Sequence, residues 1–202
     1  MTLNAAKVLV GTADQQSTTG AVRSGAPLET VPSTFAAAET ALNAMTASGY
    51  VSENGLTLSN GISTSDIKEW NRSTVRKLIE SYDGTLAWSL IQQDYESWCQ
   101  AVGSDHVTKV NATSGSAGHG EQLHIGLGSH LGPEQAWGFA MKDGDARIII
   151  LVPRGQVTSL DSLTFNATSA ISLPCTLSAY DDGTGTGDSI HIYIDDGVKA
   201  SA

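Results

Sequence analysis

The sequence is poor in basic residues, cysteines and long apolar runs, and each shortage excludes a class of protein. Only 11 of the 202 residues are Lys or Arg, against 21 Asp or Glu, and the formal net charge is −10. This balance argues against binding nucleic acid by neutralising phosphates. The two cysteines, Cys99 and Cys175, lie outside any CxxC spacing, so neither a disulfide framework nor a thiolate metal site is indicated.

Membrane insertion and export are also not expected. No apolar run approaches the ~18 residues that a membrane helix needs. The longest candidate, Ile148–Val152, has the length of a strand. Residues 1–11 contain no apolar stretch long enough for a secretory signal.

Small residues are abundant instead. The chain has 23 Ser, 20 Thr and 21 Gly, and 40% of its residues are hydrophobic. This composition favours strands, turns and protein contacts over long solvated helices. The length fits one domain, 1–202. Within it we expect a flexible N-terminal arm, about 11–32, and a flexible small-residue loop, about 108–120.

Two helices are predicted. Phe35, Ala38, Leu42 and Met45 recur at helical spacing, which indicates a helix over Thr34–Met45 with Ser33 as its N-cap. A second, shorter helix is predicted over Asp94–Val102, ending at Gly103.

The remaining pattern is that of turns and short strands. The Asn54-Gly55 and Asn60-Gly61 pairs indicate turns, and Asp83-Gly84 indicates a hairpin leading into a strand in which Leu86, Trp88 and Leu90 alternate. Strand spacing predicts a mainly β (α+β) fold, a β-sandwich or barrel with two outer helices. The other predicted strands are Lys7–Val10, Gln122–Leu127, Gln135–Lys142, Ala146–Val152, Gln156–Thr158, Asp161–Asn166, Leu173–Tyr180 and Ser189–Ile194.

The sequence gives only weak indications of a metal, cofactor or catalytic site. His119, Glu121, His124 and His130 lie close in sequence, but their spacings match no zinc signature. The glycines of 126–132 miss the dinucleotide-loop spacing by one residue, and no catalytic carboxylate pair is marked. We expect no cofactor, no metal and no enzymatic activity. The C-terminal third is acidic, and from residue 181 onward it contains five aspartates, Asp181, Asp182, Asp188, Asp195 and Asp196, with no base until Lys199.

One extended string is more specific. Residues 49–59 read GYVSENGLTLS, residues 63–70 read STSDIKEW, and Val75-Arg76 follow. Later come Trp137–Met141, the turn at 143–145 and the acidic, glycine-rich 180–183. In this order the chain resembles the major tail proteins of long-tailed, siphovirus-like bacteriophages, which form the tail tube.

The resemblance implies a tail-tube-type β-sandwich or barrel with one long outer helix and a second short helix. It also implies hexameric rings that stack into a hollow conduit for DNA ejection. The implied partners are the chain itself, a tape measure protein, a tail terminator and tail-tip proteins. DNA would pass through the lumen without specific binding, and the protein would be made in the host cytoplasm and reside in the virion tail.

The resemblance also implies candidate contact residues. A long hairpin or loop reaching a neighbouring ring is expected near 54–70. The candidate interface residues are Asn54, Gly55, Asn60, Gly61, Ile62, Asp66, Trp70 and Arg76. The five C-terminal aspartates are candidates for an acidic lumen or surface that repels DNA phosphates.

Two alternatives remain open. A capsid decoration or head–tail joining protein would share the composition and the strand content. An acidic β-sandwich enzyme or carbohydrate-binding module is the other, and its mark would be exposed aromatic side chains on one face.

Overall fold

The computed structural model describes residues 8–14 and 20–198. Strand makes up 47% and helix 11%, so the mainly β prediction is confirmed. The helices are α1, Phe35–Asn43, and α2, Tyr95–Val102. The strands are β1 Thr12–Ala13, β2 Val22–Gly25, β3 Thr46–Ala47, β4 Val51–Lys68, β5 Thr74–Leu90, β6 Val107–Val110, β7 Gln122–Ile125, β8 Gln135–Asp143, β9 Ala146–Leu160, β10 Leu173–Ala179 and β11 His191–Asp195.

Nine of the described strands form one sheet, in the order β3-β2-β8-β9-β10-β5-β4 with β1 on β8 and β11 on β9. The long strand β9 holds the sheet together. One of its edges pairs with β8. Along the other edge, residues 147–151 pair with β11 and residues 155–160 pair with β10. Strands β10 and β11 therefore lie in line, and the acidic segment between them leaves that line and rejoins it.

The sheet is buried on both faces where β8 and β9 pair. Trp137 and Phe139 of β8 face a large core and contact Trp88 of β5, with ring centroids 5.3 and 5.2 Å apart. On the opposite face of β8, Ala140 packs with α1 through Leu42. Because successive side chains of β8 enter cores on opposite faces of the sheet, the strand is almost continuously apolar and lacks the usual alternation of apolar and polar residues.

Helix α1 approaches β8 closely because β8 carries glycine there. A Cβ on Gly138 would collide with Leu42 of α1. A side chain of the sheet also donates hydrogen bonds to the C-terminal end of the helix. Buried Arg23 of β2 donates Nη1 hydrogen bonds to Leu42 O and to Asn43 Oδ1, at 3.3 and 2.8 Å. A guanidinium at the negative end of a helix is favourable.

Both predicted helices exist, with shorter bounds for the first. Helix α1 begins one residue after Thr34 and ends before Met45, and Thr34 rather than Ser33 is its N-cap, accepting from Ala37 N at 3.3 Å. Helix α2 follows Asp94, which accepts from Ser97 N, and ends at Gly103. Serine and threonine are both favoured as N-cap residues, so two such neighbours leave the first residue of the helix uncertain by one position.

Several predicted turns and strands are wrong. The chain does not turn at Asn60-Gly61 or at Asp83-Gly84, because Asn60 pairs with Gly84 and Gly61 with Asp83 inside one continuous ladder. The Gly84 position serves a close contact instead, since a Cβ there would collide with the Tyr82 hydroxyl. The Asn54-Gly55 pair is a bulge, where the register shifts between Val51 and Leu56.

Residues 161–166 and 8–10 are irregular rather than strands, and Lys7 lies outside the described residues. The predicted strands 146–152 and 156–158 are one strand, because Pro153 lies within β9 and does not end it. The predicted small-residue loop is narrower than 108–120, since β6 and β7 pair antiparallel on either side of it. An ion pair of 2.8 Å between Lys109 and Glu121 closes its base. Of the predicted N-terminal arm, residues 15–19 lie outside the described part, and the rest contains the short strands β1 and β2 joined to irregular segments.

Candidate functional site

The most prominent surface feature is the outer half of the β4–β5 hairpin. We call residues 61–83 the outer hairpin, because they lie beyond the pair Asn60 and Gly84. All residues from 62 to 83 are exposed except Ser65, which is half-buried. At ~3.3 Å per residue, the strand from Gly61 to Lys68 projects roughly 25 Å from the body.

The outer hairpin carries large apolar side chains on both of its faces. Strand pairing places Ile62 beside Tyr82 on the face that continues the core, while Ile67 lies on the other face. A two-stranded ribbon exposed to water is marginally stable by itself. The exposed large apolar residues are Ile62, Ile67, Trp70, Val75, Leu78, Ile79 and Tyr82.

A tight turn closes the tip. Arg72 N donates to Glu69 O at 2.8 Å, and Glu69 N donates to Ser73 O at 2.9 Å. Trp70 lies in this turn and is fully exposed. Arg72 has φ +67, and among the described residues it is the one non-glycine residue with positive φ. Glycine is favoured at this position of a hairpin turn, so an arginine there costs conformational energy.

Polar contacts inside the outer hairpin hold its register. Lys77 Nζ donates to Asp66 Oδ1 at 2.8 Å, across the two strands. Thr74 Oγ1 donates to Asp66 Oδ2 at 3.2 Å. The hydrogen bond from Lys77 is the main cause that lowers the pKa of Asp66. The pair is solvent-exposed, so it defines register more than it adds stability.

The tip is also the basic part of an acidic protein. Residues 68–77 contain four of the chain's 11 Lys and Arg residues and one acid, Glu69. The four cations are Lys68, Arg72, Arg76 and Lys77. The tip is therefore cationic and aromatic, while the rest of the chain is strongly anionic.

The acidic segment between β10 and β11, residues 180–190, is a loop whose two ends are hydrogen-bonded to each other, and we call it the excursion. Asp182 N donates to Asp188 O at 3.0 Å, which joins its two ends. The side chain of Asp182 is 1% exposed and accepts from Thr184 N, Thr184 Oγ1 and His191 Nε2. These hydrogen bonds, led by the one from the Thr184 hydroxyl, lower the pKa of Asp182.

The other four acids are placed differently. Asp181 and Asp188 are exposed on the excursion, where they accept from Gly183 N and Thr186 Oγ1. Asp195 ends β11 and Asp196 follows it, and they accept from Gly197 N and Val198 N at 3.0 and 3.1 Å. The carboxylate of Asp182 is therefore buried and hydrogen-bonded within the protein, whereas those of Asp181, Asp188 and Asp195 are exposed to solvent.

A comparison with protein families fits this geometry. The model of the phage tail tube protein family matches residues 1–200. The chain belongs to the phage tail tube protein family. This is a family of structural tail proteins rather than enzymes. No curated protein matches the chain.

For this tail tube protein, the structure brings most of the predicted interface residues onto one element. Ile62, Asp66, Trp70 and Arg76 lie on the outer hairpin, and Gly61 begins it. Asn60 pairs with Gly84 at its base. Asn54 and Gly55 lie apart from these, in the bulge where β4 enters the sheet.

On the second strand of the outer hairpin, sequence reasoning identifies Arg76 but misses the apolar residues around it. Val75, Leu78, Ile79 and Tyr82 are not among the candidates, because the sequence predicts a turn at Asp83-Gly84. The available signal was that apolar residues flank 69–73 on both sides. That pattern fits a long hairpin centred there.

The candidate metal ligands His119, Glu121, His124 and His130 do not form a metal-binding cluster in the described part of the chain. Among residues 8–14 and 20–198, no three His, Cys, Asp or Glu side chains come together as metal ligands would. The His106 and His130 rings stack with centroids 3.5 Å apart, and the ring of His119 bonds to Gly120 O. Within the same part of the chain, no helix has the length and apolar character needed to span a membrane.

Proposed function

We propose that this chain is the major tail tube subunit, which assembles into stacked hexameric rings that form the conduit for phage DNA during ejection. Membership of the tail tube family supports a structural role in the tail. The observation that carries the finer proposal is the outer hairpin. Its seven large apolar side chains are exposed, and a neighbouring subunit would bury them.

Sheet edges supply the contacts within a ring. Strand β4 lies at one end of the sheet order, and β11 has β9 as its strand partner. An open edge pairs readily with a strand of another chain. Head-to-tail contacts that close give a ring, and a second, non-closing contact between rings gives a tube.

The same proposal covers location and partners. The protein resides in the virion tail after synthesis in the host cytoplasm, as one tail tube domain spanning 1–202. Its main partner is itself. A tape measure protein, a tail terminator and tail-tip proteins complete the tail and set its length.

The net charge of −10 suits a conduit for DNA, because carboxylates in a lumen repel phosphates. We assign this role to Asp181 and Asp188, which are exposed and have no base near them in sequence. A tube whose lumen proved neutral or basic would overturn this assignment.

Negative-stain electron microscopy with sedimentation velocity tests assembly directly. The purified, concentrated chain should give hollow tubes of uniform width or six-membered rings. A matched variant lacks 61–83, which joins Asn60 to Gly84 and leaves an Asn-Gly pair, the preferred residues for a two-residue hairpin turn. It should unfold at a urea concentration near that of the full chain and form no tubes.

A full-length chain that stays monomeric, even with tape measure and tail-tip proteins present, would contradict the proposal. Binding to capsids in the same assay would then support a capsid decoration or head–tail joining protein. Tubes formed by the variant lacking 61–83 would keep the tube function and remove the hairpin from it.

A further inference from the structure

A second surface of the molecule is suited to receive the hairpin tip. A groove of about 480 Å³ lies beside the end of β11. Its lining combines apolar Leu9, Phe35 and Ile194 with the carboxylates of Asp195 and Asp196. The side chain of Ile194 is exposed there, on a strand paired along one edge with β9. An apolar floor with an acidic rim fits an aromatic side chain flanked by cations.

The charge around this groove is negative even though an arginine lies next to it. Arg147 stands over the Phe35 ring, 5.7 Å from its centroid. Its guanidinium already pairs with Glu39 and, at 3.7 Å, with Asp14. The other charged residues nearby in the strand register are Lys142, Asp143 and Asp145. Taken together, the acids around the groove outnumber the bases: Asp14, Glu39, Asp143, Asp145, Asp195 and Asp196 stand against Arg147 and Lys142.

The hairpin tip has the complementary chemistry. Trp70 is fully exposed, and Arg72 and Arg76 flank it with cationic side chains. The strained backbone at Arg72 adds weight, since an unfavourable residue persists at such positions when its side chain is needed. The hydrogen bonds described above for the tip join residues of the hairpin to one another.

We propose that the hairpin tip of one copy docks in the β11 groove of a second copy. Trp70 fills the apolar floor between Phe35 and Ile194, while Arg72 and Arg76 meet Asp195 and Asp196. This inference rests on the proposed function, because it names the surface that the outer hairpin contacts when the chain assembles. The occupant is another copy because the cationic tip and the acidic groove belong to the same anionic chain.

A rival groove on the same molecule fits less well. It lies between α2, the segment Leu127–Gly132 and the end of β9, with a volume of about 390 Å³. Its lining contains His130 but no carboxylate. It can accept the Trp70 ring but offers nothing to the four cations of the tip.

Reciprocal charge reversal tests the docking. One variant carries Arg72→Glu and Arg76→Glu on the tip, and the other carries Asp195→Lys and Asp196→Lys at the groove. Each alone should raise the critical concentration for tube formation by at least about tenfold, because like charges then face each other. An equimolar mixture should form tubes again, since every tip then finds a groove of opposite charge. The chain with all four substitutions should also assemble.

Two controls separate docking from folding and from bulk charge. Asp105→Lys with Asp161→Lys makes the same charge change at two exposed acids that have no part in the tip, the groove or the proposed lumen, and should assemble like the unmodified chain. Asp195→Asn with Asp196→Asn keeps acceptors for Gly197 N and Val198 N while removing the charge. That variant should unfold like the unmodified chain and assemble more weakly, with a smaller dependence on salt.

The outcomes are distinguishable. Tubes from the Asp195→Lys, Asp196→Lys variant alone, or no rescue on mixing, would overturn the docking while the tube function stands. Failure of the unmodified chain to assemble would count against the proposed function itself. Rescue by mixing the tip variant with the groove variant, together with assembly of the chain that carries all four substitutions, is the result that establishes the contact.

Discussion

The two halves of the β4–β5 hairpin are built from the same strands but have opposite relations to solvent. In the inner half, Leu86, Trp88 and Leu90 alternate with half-buried residues and face the large core. In the outer half, no residue between 62 and 83 is buried. Trp88 is 4% exposed, whereas Trp70 on the same hairpin is 100% exposed.

The two halves therefore have different roles, and a sequence pattern alone does not distinguish them. The inner half stabilises the monomer, because its apolar side chains leave water on folding. The outer half exposes a similar set of side chains and contributes little to that folding step. On the proposed function, its apolar surface is buried only when the folded chain contacts another copy.

The largest expected effect belongs to the inner half. Trp88→Ala should lower the free energy of unfolding by ~3–5 kcal/mol, because it empties the space shared with Trp137 and Phe139. Urea unfolding followed by circular dichroism measures it. A loss below ~1 kcal/mol would show that the inner half is not part of the core.

Substituting a buried acid, Asp182, and an exposed acid, Asp66, extends the comparison between the folded body and the outer hairpin. Asp182→Ala should cost ~1–3 kcal/mol, because Thr184 and His191 lose a buried acceptor. Asp66→Ala, on the outer hairpin, should give no measurable change in urea unfolding.

The pH dependence follows from the lowered pKa of Asp182. Its stabilisation is complete above the unfolded-state pKa of about 4 and is lost as the pH falls through the lower folded-state value. Urea midpoints measured between pH 7 and pH 2 should therefore fall less for Asp182→Asn than for the unmodified chain. Equal falls would place the acid sensitivity elsewhere.

The tip should show a gain of stability with a loss of assembly. Arg72→Gly relieves a positive φ and should leave the monomer unchanged or more stable by up to ~1 kcal/mol. Thermal unfolding measures this part. Tube formation, scored by electron microscopy, should weaken because a tip cation is gone. Normal assembly with raised stability would mean that the Arg72 side chain is dispensable.

The smallest effect on stability is expected for Trp70→Ala, at most ~0.5 kcal/mol, because the indole leaves no cavity behind. Tubes should nevertheless fail to form. Trypsin provides a second readout, since four of its cleavage sites lie in 68–77. The monomer should be cut there, and assembled tubes should be protected. Equal cleavage in both states would place the tip in solvent within the tube.

Sequence periodicity predicted the helices and the buried strands well, because burial on one face imposes a period that local pattern reveals. Leu86, Trp88 and Leu90 lie in the core as that pattern required. It failed where long-range strand pairing overrides a local turn preference. Asp83-Gly84 is a dipeptide typical of turns, but it lies inside β5 because Gly61 and Asn60 of β4 pair with it.

The candidate site was only half predictable for a related reason. Trp70 and Arg76 were identified by resemblance, and both lie on the outer hairpin. Val75 and Ile79 on the second strand were not, because exposed apolar residues have no burial pattern that periodicity could reveal. On the proposed function a second copy covers this surface, and such a contact leaves no period in the sequence of one chain.

The ladder of the outer hairpin also gives it a natural unit of length. Adding two residues to each strand would move the tip outward by ~7 Å and keep every side chain on its present face. Adding one to each would turn each apolar face over. Because the core ends at Gly84, such insertions leave the folded body untouched. Insertions of this kind change the reach of the outer hairpin in fixed steps without redesigning the domain that bears it.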